Sequence, residues 1–306
     1  MAIRFDDRVA IITGAGSGLG RSHALMLAAR GAKVVVNDLG GAVDGSGRST
    51  AAADQVVAEI AAQGGTAIAN YDSVSDAAAA EHLVQSTIEH FGRLDILINN
   101  AGILRDKTFA KMELADFRAV MEVHLMGSVH CTRAAWANMK ERNYGRIVMT
   151  SSGAGLYGNF GQSNYGAAKM ALVGLMNVIK LEGARNGILV NAVAPIAATR
   201  MTEALMPKHA LAHLKSEYVS AAVAYLSSEQ CQCSGHVISA GAGYFARTQM
   251  MEGEGAFLEG DAAADPDAVA AAYGRISDLS RAAPFASAPD YIDKVLGRFA
   301  GEPQAR

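Results

Sequence analysis

Residues 9–21 read Val9-Ala10-Ile11-Ile12-Thr13-Gly14-Ala15-Gly16-Ser17-Gly18-Leu19-Gly20-Arg21. A short apolar run leads into a glycine-rich turn, and a helical pattern begins within that turn. Glycines let the backbone turn tightly and approach a pyrophosphate, whose charge is stabilised at the amino terminus of a helix. Such a turn can be an ordinary loop, but its place between a strand and a helix favours dinucleotide binding. We expect five residues to hold the pyrophosphate: Gly14, Ser17, Gly18, Leu19 and Gly20.

The alternation of strand and helix patterns continues to about residue 240. Apolar runs occur at residues 9–12, 33–37, 66–69, 94–98, 146–150, 188–193 and 236–239, and helix-length segments at 18–30, 47–63, 76–91, 113–142, 163–186 and 201–228. Continuous apolar runs are typical of strands buried on both faces, as in a parallel sheet. The pattern therefore predicts an α/β fold, with a Rossmann-like, doubly wound parallel sheet of seven strands in one domain, residues 1–245.

The last residues, 246–306, are predicted to form a helical C-terminal extension. Residues 252–265 are rich in glycine, alanine and acidic residues, which indicates a mobile connector. Helices are predicted at 267–280, where Asp265-Pro266 supplies the cap and the first turn, and at 289–299. We expect the extension to pack on the first domain or on a partner subunit.

The composition excludes several kinds of partner. Of the 306 residues, 50% are hydrophobic and 19% are charged, so the chain can bury a core. The formal net charge is −3 and basic residues form no block, which argues against a nucleic-acid or anionic-membrane partner. No run of 18 apolar residues exists that could span a membrane. We therefore expect a soluble protein whose partner is a small molecule.

The cysteines and the two ends of the chain bear on compartment and metal binding. Three cysteines, including the pair Cys231-Gln232-Cys233, are too few for a disulfide framework or a four-ligand zinc site. The amino terminus is charged where a signal peptide would be apolar, and the last residues, Gln304-Ala305-Arg306, differ from a Ser-Lys-Leu peroxisomal signal. We expect a cytoplasmic protein without a metal.

Asp38 indicates which dinucleotide binds. It follows the second strand pattern, about 20 residues after the glycines, where a carboxylate accepts hydrogen bonds from the adenosine ribose. The same carboxylate would repel a 2′-phosphate, and positions 15–20 and 39–43 hold no arginine or lysine to offset this. The alternative is a turn aspartate before Gly40-Gly41, but the nearby glycine turn favours the cofactor interpretation. We therefore predict NAD rather than NADP.

Further candidate cofactor residues follow the third and fourth strand patterns. Asp72 and Ser73 could bond the adenine edge, and the run Asn99-Asn100-Ala101-Gly102 could present a small, flat surface to the cofactor. Because ligands of open α/β sheets bind at the carboxyl ends of the strands, we include Asp72, Ser73, Asn100, Ala101 and Gly102 in the predicted site.

Tyr165 and Lys169 are the candidate acid–base pair. They lie four residues apart, on one face of a predicted helix, although this spacing is common by chance. Ser152 ends the fifth strand, at the sheet edge that also carries the glycine turn. A tyrosine has an ordinary pKa near 10, and the Lys169 cation with an oxidised nicotinamide would lower it toward the operating pH. Tyr165 would then be the general acid/base for a secondary alcohol, and Ser152 would orient the substrate oxygen.

These motifs resemble those of the classical short-chain dehydrogenases/reductases. The shared features are Thr13-Gly14-x3-Gly18-x-Gly20, the run 99–102, Ser152, Tyr165 and Lys169. The resemblance implies a Rossmann fold, a nicotinamide cofactor also bound by Tyr165 and Lys169, and a homodimer or homotetramer. Two departures stand out. His124 occupies the position of the family's usual catalytic asparagine, which implies a variant proton relay, and Pro195-Ile196 replaces the usual Pro-Gly.

Within this family the chain is similar to the dehydrogenase domains of peroxisomal multifunctional enzymes of type 2. The similarity rests on residues 36–41, 70–74, 100–106 and 157–162 and on the C-terminal extension. It implies oxidation of (3R)-3-hydroxyacyl-CoA to 3-ketoacyl-CoA, or of a 17β-hydroxysteroid. It also implies that Pro195, Ala197, Ala198 and Thr199 meet the nicotinamide end of the cofactor. A catalytically silent dinucleotide-binding protein is the alternative from another functional class.

Overall fold

A computed structural model of the chain describes residues 2–198, 209 and 211–297. The chain divides into two compact units, Met1–Arg247 and Thr248–Arg306. Thr199, Arg200, Met201 and the residues that follow to 208 lie outside the described residues, as do residues 210 and 298–306.

A single sheet organises the described part of the first unit. Its strands are β1 (Val9–Thr13), β2 (Lys33–Asn37), β3 (Thr66–Asn70), β4 (Ile96–Asn99), β5 (Gly145–Thr150), β6 (Ile188–Pro195), β7 (Val237–Gly241) and β8 (Tyr244–Thr248). They lie in the order β3-β2-β1-β4-β5-β6-β7-β8, and all pairs from β3 to β7 are parallel. The strand order reverses direction between β1 and β4, which creates a crevice at the carboxyl edge where such folds bind ligands.

The seven predicted strands are confirmed, but the predicted strand number is wrong because the sheet has an eighth strand. β8 follows a two-residue turn in which Ala242 has φ +50° and Gly243 has φ +78°. Positive φ at both positions is what a tight turn between neighbouring strands requires. Tyr244 and Phe245 are both exposed, so β8 lacks the continuous buried run by which the other strands are recognised.

Helices cover both faces of the sheet in the first unit. Their bounds are α1 (Gly18–Ala28), α2 (Ala51–Ala62), α3 (Ala77–Phe91), α4 (Leu114–Met121), α5 (Gly127–Glu141), α6 (Gly153–Tyr157), α7 (Ser163–Gly183) and α8 (Ser216–Ser227). Three predictions need correction. The helix predicted at 113–142 contains a π-helical turn, Glu122–Met126, and α2 begins at residue 51 rather than 47. Of the helix predicted at 201–228, residues 201–208 and 210 lie outside the described residues, and the described part has a 3-10 turn at Leu211–His213 before α8 begins at Ser216.

The strands β1 to β7 send alternate side chains into two cores. Ile12, Val34 and Val36 pack with α1, α2 and α8 on one face, whereas Ile11 and Val35 pack with α3, α5 and α7 on the other. All five side chains are at most 1% exposed. Burial of both faces explains why these strands read as continuous apolar runs rather than as alternating patterns.

The second unit contains α9 (Pro266–Ile276) and α10 (Ala288–Leu296). The Asp265 carboxylate accepts the N–H of Asp267 and Pro266 lies in the first turn of α9, as predicted. Glu252 and Ala283 form an antiparallel bridge, and Gly260–Ala264 is a 3-10 turn, so the predicted connector contains ordered structure of its own. Throughout the described part of the chain, no helix combines the length and the apolar character needed to cross a membrane.

Candidate active site

A cleft of about 1040 Å³ opens at the carboxyl edge of the sheet, where the strand order reverses. It brings together sixteen residues that the sequence singled out: Gly14, Ser17, Gly18, Leu19, Asp38, Asp72, Ser73, Asn100, Ala101, Gly102, His124, Ser152, Tyr165, Lys169, Pro195 and Ala197. They come from loops, helices and strand ends between Gly14 and Ala197, and the parallel strands bring them together because their carboxyl ends share one edge.

Two of the described predicted cofactor residues, Gly20 and Ala198, do not line the cleft. A side chain at Gly20 would place its Cβ 2.2 Å from the Gly14 carbonyl oxygen, so this glycine permits close packing of α1 beneath the turn. The Ala198 N–H donates to the Leu214 carbonyl oxygen at 2.8 Å. Thr199 lies outside the described residues.

Asn100 joins the glycine turn to the end of β4. Its Nδ2 donates to the carbonyl oxygens of Thr13 and Gly14, at 2.9 Å and 3.1 Å. The Thr13 hydroxyl in turn accepts the N–H groups of Asn100 and Ala101, both at 3.0 Å. Gly14 has φ +64°, a conformation that a glycine reaches without strain. The amide of Asn100 therefore holds the turn in shape, whereas the sequence suggested that it would face the cofactor.

The Asp38 carboxylate lies directly beside the glycine turn. Oδ2 accepts the N–H of Gly16 at 2.8 Å, and Oδ1 accepts the N–H of Gly40 at 2.7 Å. Each carboxylate oxygen has a second acceptor position, so both can still receive a ribose hydroxyl. The cleft, the turn and this carboxylate thus fit the adenosine ribose and pyrophosphate of a dinucleotide.

Asp72 and Ser73 lie at the same side of the cleft but have partners of their own. Asp72 Oδ2 accepts from Asn70 Nδ2 and lies 2.7 Å from His82 Nδ1, and this carboxylate raises the pKa of His82. The Ser73 hydroxyl lies 2.9 Å from that of Ser75. The position of both residues agrees with an adenine-contacting role, although their side chains are already hydrogen-bonded.

Ser152, Tyr165 and Lys169 converge at the other side of the cleft. Ser152 caps α6, where its Oγ accepts the N–H of Ala154 at 3.2 Å, and it hydrogen-bonds the Tyr165 phenol. Lys169 is 3% exposed, donates to the Thr150 carbonyl oxygen at 2.5 Å and places Nζ 5.5 Å from the centre of the Tyr165 ring. The arrangement can hold a substrate oxygen between Ser152 and Tyr165, with an amine behind the phenol.

The pKa shifts differ from the sequence expectation. Burial raises the pKa of Tyr165, the Ser152 hydrogen bond lowers it, and the charge of Asp106 raises it further. Burial lowers the pKa of Lys169 to about 7. The described residues therefore do not by themselves bring the Tyr165 pKa down, as the sequence suggested that Lys169 would help to do. A cationic cofactor ring next to the phenol is the additional charge that the expected shift requires.

His124 lies in the π-helical turn between α4 and α5. Its Nε2 is 2.8 Å from the carbonyl oxygen and 3.1 Å from the amide nitrogen of Ile103, so either tautomer has a partner there. Its ring meets the Tyr165 ring edge-on at 5.2 Å. Burial and the Lys169 charge hold the pKa of His124 well below its ordinary value, so the imidazole is neutral. Nδ1 is buried without a hydrogen-bond partner among the described residues, which leaves one polar atom available beside the cleft.

Two further loops line the cleft; residues 157–162 were singled out from the sequence only as a point of family resemblance, and residues 42–45 were not singled out. Residues 41–45 lie across the loop after β4, because the Leu104 N–H donates to the Val43 carbonyl oxygen and Arg105 Nε donates to that of Asp44. Residues 158–160 and 162 also line the cleft, and Gln162 Nε2 joins them to the loop after β4 by donating to Asp106 Oδ2. Both depend on hydrogen bonds between segments far apart in the chain, and the only sequence signal is the density of glycines at 40–47 and 158–161.

A family model and two curated relatives all relate this chain to short-chain dehydrogenases and multifunctional enzymes that contain them. A family model described as short chain dehydrogenase matches residues 8–210. The chain is 50% identical over 283 residues to peroxisomal multifunctional enzyme type 2 of Drosophila melanogaster, which is 92% of this chain and 47% of that protein. It is 50% identical over 276 residues to a short-chain type dehydrogenase/reductase of Mycobacterium tuberculosis, covering 90% of this chain and 96% of that one. The chain thus spans about half the length of the multifunctional relative.

Solved structures show the same fold. The full-length Drosophila melanogaster enzyme matches with a TM-score of 0.82 and 40% identity, over 97% of this chain and 50% of that one. A 7α-hydroxysteroid dehydrogenase complexed with NADH and 7-oxo glycochenodeoxycholic acid matches with a TM-score of 0.71 and 28% identity, over 78% and 95% of the two chains. Neither comparison bears on where this chain resides in the cell, so the cytoplasmic location stays a prediction.

Proposed function

Because the chain belongs to the short-chain dehydrogenase family, as its motifs predicted, we propose that it oxidises (3R)-3-hydroxyacyl-CoA to 3-ketoacyl-CoA with NAD. An oxidoreductase is what the family and the named relatives show, and the substrate and cofactor are the proposal. The observation that carries it is the convergence of Ser152, Tyr165 and Lys169 with the glycine turn and Asp38 in one cleft.

Ser152, Tyr165 and Lys169 each have a different role in the proposed reaction. The Ser152 hydroxyl holds the substrate oxygen, and the Tyr165 phenolate removes the hydroxyl proton as general base. Lys169 contributes its charge behind the phenol and a donor for the nicotinamide ribose. A nicotinamide held at this end of the cleft would supply the hydride acceptor in this direction. In the reverse direction, Tyr165 returns the proton to the carbonyl oxygen.

His124 has a role in this scheme that its geometry supports. The imidazole is fixed through Nε2 by Ile103, its Nδ1 has no partner among the described residues, and the charge of Lys169 acts on the ring. A neutral ring can accept or donate one hydrogen bond at Nδ1, as the side-chain amide of the family's usual asparagine can. We assign His124 to the proton path behind Tyr165.

The position of Asp38 supports the proposal of NAD as the cofactor. Its carboxylate lies beside Gly16 and Gly40, and both oxygens keep capacity for the ribose hydroxyls. A 2′-phosphate at the same place would lie against this negative charge, which opposes NADP binding.

A steroid alcohol is the second candidate substrate. The observation in its favour is the similarity to a 7α-hydroxysteroid dehydrogenase over 78% of this chain. We rank it below the thioester because the multifunctional relative is 50% identical over 92% of the chain.

We also propose that the chain forms a homodimer or homotetramer. Val178 and Leu181 of α7 are both more than half exposed, which leaves apolar surface on a long helix. Light scattering after gel filtration would show a mass of two or four subunits, and a monomer at micromolar concentration would contradict the proposal.

Initial-rate NADH formation tests the function. We expect turnover of (3R)-3-hydroxyacyl-CoA and a much lower rate with the (3S) isomer, because Ser152 and Tyr165 present one face to the alcohol. Turnover of 17β-hydroxysteroid alone would overturn the thioester and retain the mechanism. Binding of NADH without turnover of either substrate would favour a silent dinucleotide-binding protein.

A further inference from the structure

The turn between α6 and α7 carries an aromatic residue that the chemistry above does not use. Phe160 lines the same cleft as Ser152 and Tyr165, and its side chain is 87% exposed. Tyr157, at the end of α6, also lines the cleft and is 73% exposed. Single exposed apolar residues are common on protein surfaces, so exposure alone assigns no role to Phe160.

The turn is built to present Phe160 in one position. Gln162 is 8% exposed, and its Nε2 donates to Asp106 Oδ2 at 2.7 Å while its Oε1 accepts from Asn159 Nδ2 at 3.0 Å. The Lys107 N–H donates to the Gly161 carbonyl oxygen at 3.0 Å. These bonds tie the base of the turn to the loop after β4, and among the described residues the Phe160 side chain has no anchoring contact of this kind.

Glycines on either side fix the shape of the turn. Gly158 has φ +81° and Gly161 has φ +82°, values that other residues reach only with strain. The phenyl ring is therefore held at the rim of the cleft by an ordered backbone rather than by packing in the core. An apolar ring held in water gains free energy when an apolar group covers it.

We infer that Phe160 is a specificity-determining residue that covers the acyl chain of the substrate. The inference rests on the proposed function. We take the covering group to be part of a molecule that occupies this cleft, because Phe160 shares its lining with Ser152 and Tyr165. In a 3-hydroxyacyl thioester, the reacting carbon carries an apolar chain on one side. Methylene groups gain the most free energy when they are buried against an apolar ring. Arg105, which also lines the cleft, is charged and already paired with Asp116, so it offers no such apolar surface.

The test compares substrates of different chain length. kcat/KM is measured for (3R)-3-hydroxyacyl-CoA of four, ten and sixteen carbons with wild type, Phe160→Ala, Phe160→Leu and Phe109→Ala. Phe109 is the matched control, because it is 80% exposed and is not among the residues that line the cleft. Each fully buried methylene changes affinity by roughly fourfold, and loss of a covered phenyl by on the order of tenfold or more.

We expect Phe160→Ala to lower kcat/KM by on the order of tenfold for ten carbons and by less than about twofold for four carbons. The loss falls on KM rather than on kcat, because the ring does not touch the reacting atoms. Phe160→Leu retains most of the preference, and Phe109→Ala behaves as wild type at every length. Unchanged unfolding midpoints show that the variants fold.

Two results would overturn the inference in different ways. An equal loss at all three lengths, or the same loss in Phe109→Ala, would show that Phe160 does not cover the chain while the proposed function stands. Absence of turnover by wild type at every length would instead remove the proposed function, and with it the substrate on which the inference rests.

Discussion

The two sides of the cleft are built in different ways. The cofactor side consists of the glycine turn and Asp38, and its hydrogen bonds run mostly among β1, β2 and β4, which are neighbours in the sheet. The substrate side consists of residues 103–107 and 153–162, which are joined by Gln162 across 56 residues of chain. The cofactor side can therefore be read from short motifs, whereas the substrate side follows from contacts that only the folded chain makes.

The largest loss of activity is expected from a substitution of Tyr165, which lies where the two sides of the cleft meet. Tyr165→Phe removes the proton acceptor but keeps the ring that meets His124 edge-on. We expect kcat to fall on the order of 10³-fold, since a positioned general base contributes roughly 10²- to 10⁴-fold. NADH affinity, measured by fluorescence titration, stays within about twofold because the Asp38 side is untouched.

Tyr157→Phe is the control for that experiment, because Tyr157 also lines the cleft. We expect it to change kcat by a few-fold at most. Comparable losses in both variants, or normal turnover by Tyr165→Phe, would contradict the acid–base assignment.

The cofactor side alone should respond to a change at Asp38. Asp38→Asn keeps an acceptor for the Gly16 N–H but removes the charge that opposes a 2′-phosphate. A hydrogen bond to a charged group contributes about 1.5–3 kcal/mol, so we expect the preference for NAD over NADP to fall by roughly 10- to 100-fold. The dissociation constants of NADH and NADPH measure it.

Asp44→Asn is the matched control, since the Asp44 carboxylate accepts from Ser46 within its own loop. It should leave the preference unchanged. Equal preferences in wild type and Asp38→Asn would mean that Asp38 serves only the backbone of the turn.

The same contrast shows how far the sequence predicts this molecule. The strands from β1 to β7, the glycine turn and the positions of Ser152, Tyr165 and Lys169 are predicted because each leaves a local pattern of burial or spacing. The π-helical turn at His124 leaves no such pattern, since one extra residue in a helical turn barely changes the apolar period. The hydrogen bonds Val43–Leu104 and Asp106–Gln162 could not be predicted from the sequence either, because each joins segments that are far apart in the chain.

The cofactor side is also supported from behind by a buried histidine. His23 of α1 is fully buried, its Nδ1 lies 2.7 Å from the Ser220 hydroxyl of α8, and burial lowers its pKa to about 3. Between the unfolded pKa of 6.5 and the folded pKa of about 3, His23 is protonated in the unfolded chain and neutral in the folded chain. The free energy of unfolding therefore falls as the pH drops from 6.5 toward 3.

We expect His23→Asn to remove this part of the acid sensitivity. Wild type should lose about 1 kcal/mol more than the variant between pH 7 and pH 5.5, as measured by urea unfolding at each pH. His90→Asn, at an exposed histidine of α3, should lose as much as wild type. Parallel pH profiles for wild type and His23→Asn would show that His23 is not the source.

The smallest effect is expected at Asp106, where a substitution tests whether the substrate side sets the pKa of Tyr165 as well as contacting the substrate. The charge of Asp106 raises the pKa of Tyr165, while its carboxylate accepts from Gln162 at 2.7 Å. Asp106→Asn keeps an acceptor for Gln162 and removes the charge, so the Tyr165 pKa falls. Because oxidation needs the deprotonated phenol, the acidic limb of the kcat profile should move to lower pH, with little change at its alkaline plateau.

Asp116→Asn removes an equal charge from the neighbouring ion pairs with Arg105 and Lys107 and provides the control. The charge of Asp116 is not among the groups that shift the Tyr165 pKa, so its profile should match that of wild type. If the acidic limb of the kcat profile moved equally in both variants, the cause would be the loss of negative charge near the cleft and not the specific position of Asp106. A shift confined to Asp106→Asn would show that one hydrogen-bonded chain, Asp106–Gln162–Asn159, both supports the turn that carries Phe160 and sets the basicity of Tyr165.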